Sequence, residues 1–291
     1  ALRSKLANYL GAGLSPEQIW AANGSNEVIQ QIFQAFGGPG RKAMGFEPTY
    51  SMYSIIAQGT DTEYARAGRL DRYELTAEFA SAQVKLHKPN IVLLCSPNNP
   101  TGTPLSLDVI EAVYAATDGI VVVDEAYAEF SADGAKSAIS LLPGRPRLLV
   151  SRTMSKAFAF AGARVGYLAA DAAVIDALRL VRLPYHLSAF TQAAAEGALA
   201  HSKALLANVD DIRGQRDRIV IELEAMGLDV YASDANFVLF GGLEDNDAVW
   251  QALLERDILI RNVGIPGTLR VTAGTETETS AFLNALREVL A

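Results

Sequence analysis

Apolar positions along this chain fall into short unbroken runs separated by stretches of helical period. In the first 180 residues the runs lie near 43–46, 91–95, 120–124, 147–151 and 165–169. Continuous apolar runs of this length read as strands buried on both faces, the signature of parallel sheets. Between them the period lengthens. Val28, Ile29, Ile32, Phe33 and Phe36 share one face of a helix within residues 21–36, and Gly24-Ser25-Asn26 precede that face. The alternation predicts an α/β fold, a mostly parallel sheet covered by helices. Pro184 interrupts the pattern before a long helical run at about 188–225, whose start, TQAAAEGALA, permits close packing. Strands then follow near 228–231, 236–240, 258–261 and 268–272, with helices near 245–256 and 277–290. The expected division is a large domain over 1–184 and an interdomain helix with a small α/β domain over 185–291.

Composition narrows the functional classes. Half of the 291 residues are hydrophobic, and no run of 18 apolar residues predicts a membrane span. The start lacks the pattern of a signal peptide. A net charge of −8 argues against nucleic acid as a partner. Cys95 is the single cysteine, which excludes an internal disulfide and suits a reducing cytoplasm. Three scattered histidines give a metal site little support; His87 and His201 are expected in solvent, and His186, in the YHLS segment, reads equally as part of a family-like motif or as a histidine packed at a domain junction. The acidic run at 242–247 lacks EF-hand spacing and reads as a solvated turn.

Chemistry concentrates at the ends of the predicted strands. SRTMSKAFAFAGARVGY (151–167) places Lys156 eight residues before Arg164, among Ser151, Thr153 and Ser155. That arrangement suits a nucleophilic amine held beside an anion, as a lysine joined to an aldehyde cofactor that carries a phosphate requires. CSPNNPTG (95–102) turns the chain at a strand's carboxyl end, the edge at which ligands bind in open α/β sheets. GIVVVDEAYAEF (119–130) ends a buried strand in Asp124, Glu125 and Tyr127. A carboxylate there is desolvated and takes up a proton unless a cation pairs with it; a pyridinium nitrogen is such a cation, and a capping role for Asp124 is the alternative. A helix beginning at Ser25 and Asn26 offers free N–H groups to an anion, or a plain N-cap.

Together these segments resemble the fold type I pyridoxal-phosphate enzymes, in particular the aminotransferases. The resemblance implies pyridoxal 5′-phosphate as cofactor and assigns Lys156 as the lysine bonded to it. It implies that Asp124 keeps the ring nitrogen protonated and that Asn99 and Tyr127 reach the phenolic oxygen. Arg164, Ser25, Asn26, Thr153 and Ser155 would bind the phosphate, and Tyr50 in FEPTYSMY would stack on the ring, with a core tyrosine as the rival reading.

From about residue 10 onward the chain is most similar to the histidinol-phosphate aminotransferases, through RLPYHLSAFTQAAA (182–195), SDANFVLF (233–240) and ILIRNVGIPGTLRVTAG (258–274). This implies transfer of an amino group from L-histidinol phosphate to 2-oxoglutarate in histidine biosynthesis. Arg261 and Arg270 would engage the substrate, with Asn236 a further polar residue on that side. It also implies a homodimer with both sites at the interface, and tens of residues ahead of the present start, including an arm and a tyrosine reaching the neighbouring subunit. An aromatic aminotransferase, a decarboxylase of a phosphorylated amino acid and a non-catalytic cofactor-binding protein are the alternatives.

Overall fold

The computed structural model describes residues 1–291. The large domain carries β1 (Ile19–Ala22), β2 (Lys42–Phe46), β3 (Glu63–Ala67), β4 (Ile91–Cys95), β5 (Ile120–Asp124), β6 (Leu148–Thr153) and β7 (Gly166–Ala169). Its helices are α1 (Leu2–Leu10), α2 (Ser25–Phe36), α3 (Met52–Gly59), α4 (Ala77–His87), α5 (Leu107–Ala116) and α6 (Ala172–Val181). After them come α7 (Ala189–Ala200), α8 (Ser202–Leu205) and α9 (Asn208–Ala225), then β8 (Asp229–Val230), β9 (Phe237–Gly241), α10 (Asn246–Leu254), β10 (Leu269–Thr272) and α11 (Glu276–Leu290). None of these helices is long and apolar enough to cross a membrane.

The seven strands form one sheet in the order β1-β7-β6-β5-β4-β2-β3. β6, β5, β4, β2 and β3 run parallel, whereas β7 is antiparallel to both β6 and β1. Strand alternation sorts the apolar runs onto two faces. Val92, Leu94, Val121, Val123, Leu148 and Val150 enter the larger core with residues of α1, α4, α5 and α7. Ile91, Leu93, Cys95, Val122 and Leu149 enter the opposite core with α2, α3 and α6. An unbroken hydrophobic run is therefore required, because both faces are covered.

All five predicted large-domain strands form. β1 and β3 are additions: IWAA is a run of only four, and EYARA mixes charge with alanine at a sheet edge, so neither carries a strong period. The long helical run at 188–225 is three helices, broken at His201 (φ −112°, ψ 21°) and again at Leu206 and Ala207. Its packing partner changes there: Ala195 and Ala198 belong to the large-domain core, Ile219 and Leu223 to the small-domain core. The expected strand at 258–261 shrinks to one bridge between Arg261 and Arg270. Asp257 turns the chain at φ 60° just before it, and the loop from Asn262 through Gly264 leaves the sheet just after. β8, β9 and β10 make a three-stranded antiparallel sheet that packs on α9, α10 and α11.

His201 is exposed as expected, but His87 is half-buried, because it sits in the closing turn of α4, which packs on α5. Cys95 is a buried free thiol, and burial pushes it up to about 12, so it is neutral.

Candidate active site

A cavity of about 540 Å³ opens at the carboxyl ends of β4, β5 and β6, roofed on one side by the small domain. Ser25, Asn26, Tyr50, Asn99, Asp124, Tyr127, Thr153, Ser155, Lys156, Arg164, Arg261 and Arg270 all line it. Of the candidates read from sequence only Asn236 is absent. Its backbone carbonyl accepts from the Ala273 N–H at 2.9 Å, because the segment entering β9 pairs there with the chain leaving β10. Sequence alone does not tell a polar side chain facing a ligand from a residue engaged by its backbone.

Strand register creates the floor. Cys95 and Asp124 are partners across the β4–β5 ladder, and Asp124 continues the alternation of Val122 toward α2 and α3. Asp124 is 2 % exposed, and burial pushes its carboxyl up to about 6, against the pull of a hydrogen bond from Tyr53. The Tyr53 hydroxyl donates to Oδ2 at 2.9 Å, while Oδ1 is buried with no partner. An orphaned buried carboxylate oxygen on the floor of a cavity is a place for a protonated ring nitrogen.

The phosphate end is built from two backbones in close approach. Gly24, at φ 85°, precedes α2 without a capping side chain, so the first N–H groups of that helix stay available to an anion. Glu27 in the first turn is engaged by the backbone and side-chain nitrogens of Asn23. A Cβ on Gly24 would run into the Arg164 guanidinium, and one on Gly166 would overlap the Gly24–Ser25 peptide. Glycine at both positions lets β7, α2 and Arg164 converge on one small volume. Thr153 Oγ1 lies 3.0 Å from Ser155 Oγ, to which Arg164 Nη1 donates at 3.4 Å. A cationic fork, hydroxyls and a helix start thus surround a space suited to a phosphate.

Tyr50 donates to Asn26 Oδ1 at 3.1 Å and meets Tyr53 edge-on, with centroids 5.5 Å apart. Asn98, fully buried, accepts from Thr49 and donates to Pro48 and Thr101, so it fastens the two loops flanking the cavity and leaves Asn99 on the inside. Lys156 Nζ stands 5.4 Å from the Tyr127 ring centre. Burial lowers its proton affinity first, and Arg270, Arg261 and Arg164 lower it further. Behind the floor, Arg152 donates to Glu125 Oε2 at 2.8 Å and 3.0 Å, an ion pair joining the ends of β5 and β6.

The substrate side comes from the small domain. Arg261 and Arg270 exchange both backbone hydrogen bonds, at 2.9 Å and 2.8 Å. Directly paired residues of antiparallel strands project to the same face, so two guanidinium groups open onto one cavity. Arg270 also donates to Asn99 Oδ1 and lies 4.5 Å over the Phe237 ring. Sequence reasoning missed Tyr53 and the loop residue Asn262. The first carries a legible signal, lying one helical turn beyond Tyr50; the second has none beyond adjacency to Arg261.

Comparison with known proteins agrees with this geometry. Residues 1–286 match the family described as aminotransferase class I and II. The chain is 67 % identical to a histidinol-phosphate aminotransferase of Paenarthrobacter aurescens, covering 99 % of this chain and 78 % of the relative. It is 57 % identical to one of Frankia casuarinae, covering 100 % and 75 %. Among solved structures, histidinol-phosphate aminotransferase from Sinorhizobium meliloti in complex with pyridoxal-5′-phosphate superposes with a TM-score of 0.88 at 25 % identity, covering 99 % of this chain and 80 % of that one.

Proposed function

The chain belongs to the class I and II aminotransferases, within them to the histidinol-phosphate aminotransferases, and from that membership we propose roles for its residues in moving the amino group of L-histidinol phosphate to 2-oxoglutarate. The products are imidazole-acetol phosphate and L-glutamate. The observation that carries the reading is one cavity uniting a lysine of lowered proton affinity, a buried carboxylate with a vacant acceptor and paired arginines at the far side.

Bound pyridoxal phosphate supplies the carbonyl that takes up the amino group and a ring that withdraws electrons as the substrate's Cα–H bond breaks. Ser25, Asn26, Ser155 and Arg164 would hold its phosphate, with Thr153 supporting Ser155, and Tyr50 would face its ring. Asp124 would offer its unpartnered Oδ1 to the ring nitrogen and, as an anion, would favour a proton there. Asn99 and Tyr127 steady the phenolic oxygen. Lys156, whose proton affinity is lowered by burial and by the neighbouring arginines, would serve as the base that takes the proton from the substrate's Cα.

Arg261 and Arg270 together match the double charge of a phosphate ester better than a lone carboxylate. Arg270 is the natural partner of the 2-oxoglutarate carboxylate in the second half-reaction. Arg261→Ala is expected to lower kcat/KM for L-histidinol phosphate about 10- to 100-fold while changing that for L-phenylalanine by less than about threefold. Steady-state kinetics on both substrates checks this; equal losses would contradict a phosphate role.

The chain is also read as half of a cytoplasmic homodimer. Leu180, Leu183, Tyr185 and Phe190 are 75–96 % exposed on a single segment, an apolar surface of the kind subunit contacts cover. The segment is tied to the phosphate loop, since Asn23 Nδ2 donates to the His186 carbonyl at 2.6 Å and His186 stacks on Trp20 at 5.3 Å.

A further inference from the structure

We infer that Tyr53 is the positioning residue for the ring-nitrogen end of the site: its hydroxyl occupies Oδ2 of Asp124, so that Oδ1 alone is presented to the cofactor and the carboxylate stays ionised beside it. The inference rests on the reading that Asp124 pairs with the ring nitrogen.

The geometry is specific. Tyr53 has no exposed surface, and its ring belongs to the core formed with α2, α3 and α6. Tyr50 braces it edge-on at an interplanar angle of 87°, so the phenol has no room to swing away from Asp124. Burial and the neighbouring carboxylate hold its hydroxyl well above the ordinary tyrosine range, so it acts only as a donor. A carboxylate carries two equivalent oxygens, and rotation about its Cβ–Cγ bond exchanges them. A fixed donor on one oxygen removes that freedom.

The Ala126 backbone N–H also favours the anion, but no other side chain facing Asp124 substitutes for Tyr53. Cys95, the partner of Asp124 across the ladder, is a neutral thiol, and Tyr50 and Tyr127 make no hydrogen bond to the carboxylate. Glu125, next in the chain, acts against ionisation and is itself neutralised by Arg152. Lys156 favours the anion by charge across the cavity, without a hydrogen bond. Without the Tyr53 hydroxyl, Oδ2 would lose its side-chain donor, which shifts a buried carboxyl toward its protonated form. The proton needed on the ring nitrogen would then lie on Asp124.

The test uses the holoprotein loaded with cofactor carrying 15N in the ring, and compares wild type with Tyr53→Phe, a change of one oxygen. Wild type is expected to show a protonated ring nitrogen across pH 6–9. In Tyr53→Phe the 15N resonance is expected to move toward that of the neutral ring, and the Kd for the cofactor to rise about 10- to 100-fold. In an Asp124→Asn background the same substitution is expected to change the Kd by less than about twofold, because no ionised carboxylate is left for the hydroxyl to hold. A merely structural role for Tyr53 would weaken binding equally in both backgrounds. Asp124 titration in the apoprotein, followed by 13C-labelled aspartate, gives a readout that needs no cofactor and is expected to rise by about one pH unit or more in Tyr53→Phe. An unchanged 15N resonance or an unchanged Asp124 titration overturns the Tyr53 assignment. A wild-type protein that binds cofactor with an unprotonated ring overturns the underlying role of Asp124 instead.

Discussion

Lys156→Ala is expected to lose turnover by at least about a thousandfold and to lose the visible absorbance of lysine-bound cofactor, while keeping the fold. The side chain leaves the core intact: Lys156 is exposed toward the cavity, whereas its neighbours Ala157 and Phe158 are buried. The proposed phosphate cradle of Ser25, Asn26, Ser155 and Arg164 does not depend on the lysine, so the variant is expected still to capture cofactor, without a covalent anchor. Both functions of the amine disappear together. No other side chain in the cavity carries an amine, since the remaining cations, Arg164, Arg261 and Arg270, carry guanidinium groups. Spectra and steady-state rates on the same sample decide the matter. A persisting lysine-bound band, or turnover within about tenfold of wild type, contradicts the assignment.

Asp124→Asn is expected to lower kcat by about 100- to 1000-fold and to remove a pH dependence of cofactor binding. The sign follows from the carboxyl lying at about 6 in the folded apoprotein. Above that pH the group is already an anion and pairs with a protonated ring at no further proton exchange. Below it, each binding event must expel a proton from Asp124, so wild-type affinity is expected to fall by as much as about tenfold per pH unit as the solution is acidified. Asparagine has nothing to titrate, and this contribution to the slope is expected to vanish. It retains an acceptor for Tyr53, so packing beneath the cavity survives. Cofactor titrations between pH 5 and 8 measure the slope directly; parallel curves for the two proteins would contradict an ionised Asp124.

Much of this site was legible in the sequence because strand ends are chemically marked. Asp124 closes the run IVVV, and the asparagine turn closes IVLLC, so a buried carboxylate and a polar loop had to meet at one sheet edge. Lys156 and Arg164 were legible for a different reason: β6 and β7 form a hairpin around them, and the residues in between cannot travel far. What the sequence hid depends on tertiary placement. Tyr53 looked like a core aromatic and is one; its hydroxyl matters only because α3 lies under β5. Asn236 was the converse, a polar side chain in the right segment whose backbone does the pairing. The antiparallel sense of β7 was equally hidden, since GYLA is apolar whichever way it runs.

The central claim is that this cavity takes an amino group from a phosphorylated amino alcohol. It is tested most directly by one half-reaction, in which the pyridoxal-phosphate form is mixed with L-histidinol phosphate and, in parallel, with L-phenylalanine. Absorbance is followed in the absence of any keto acid. Rapid conversion to the pyridoxamine form by the phosphate ester, with phenylalanine at least about tenfold slower, is the predicted result. Faster conversion by phenylalanine, or a spectrum that neither compound changes, would contradict it.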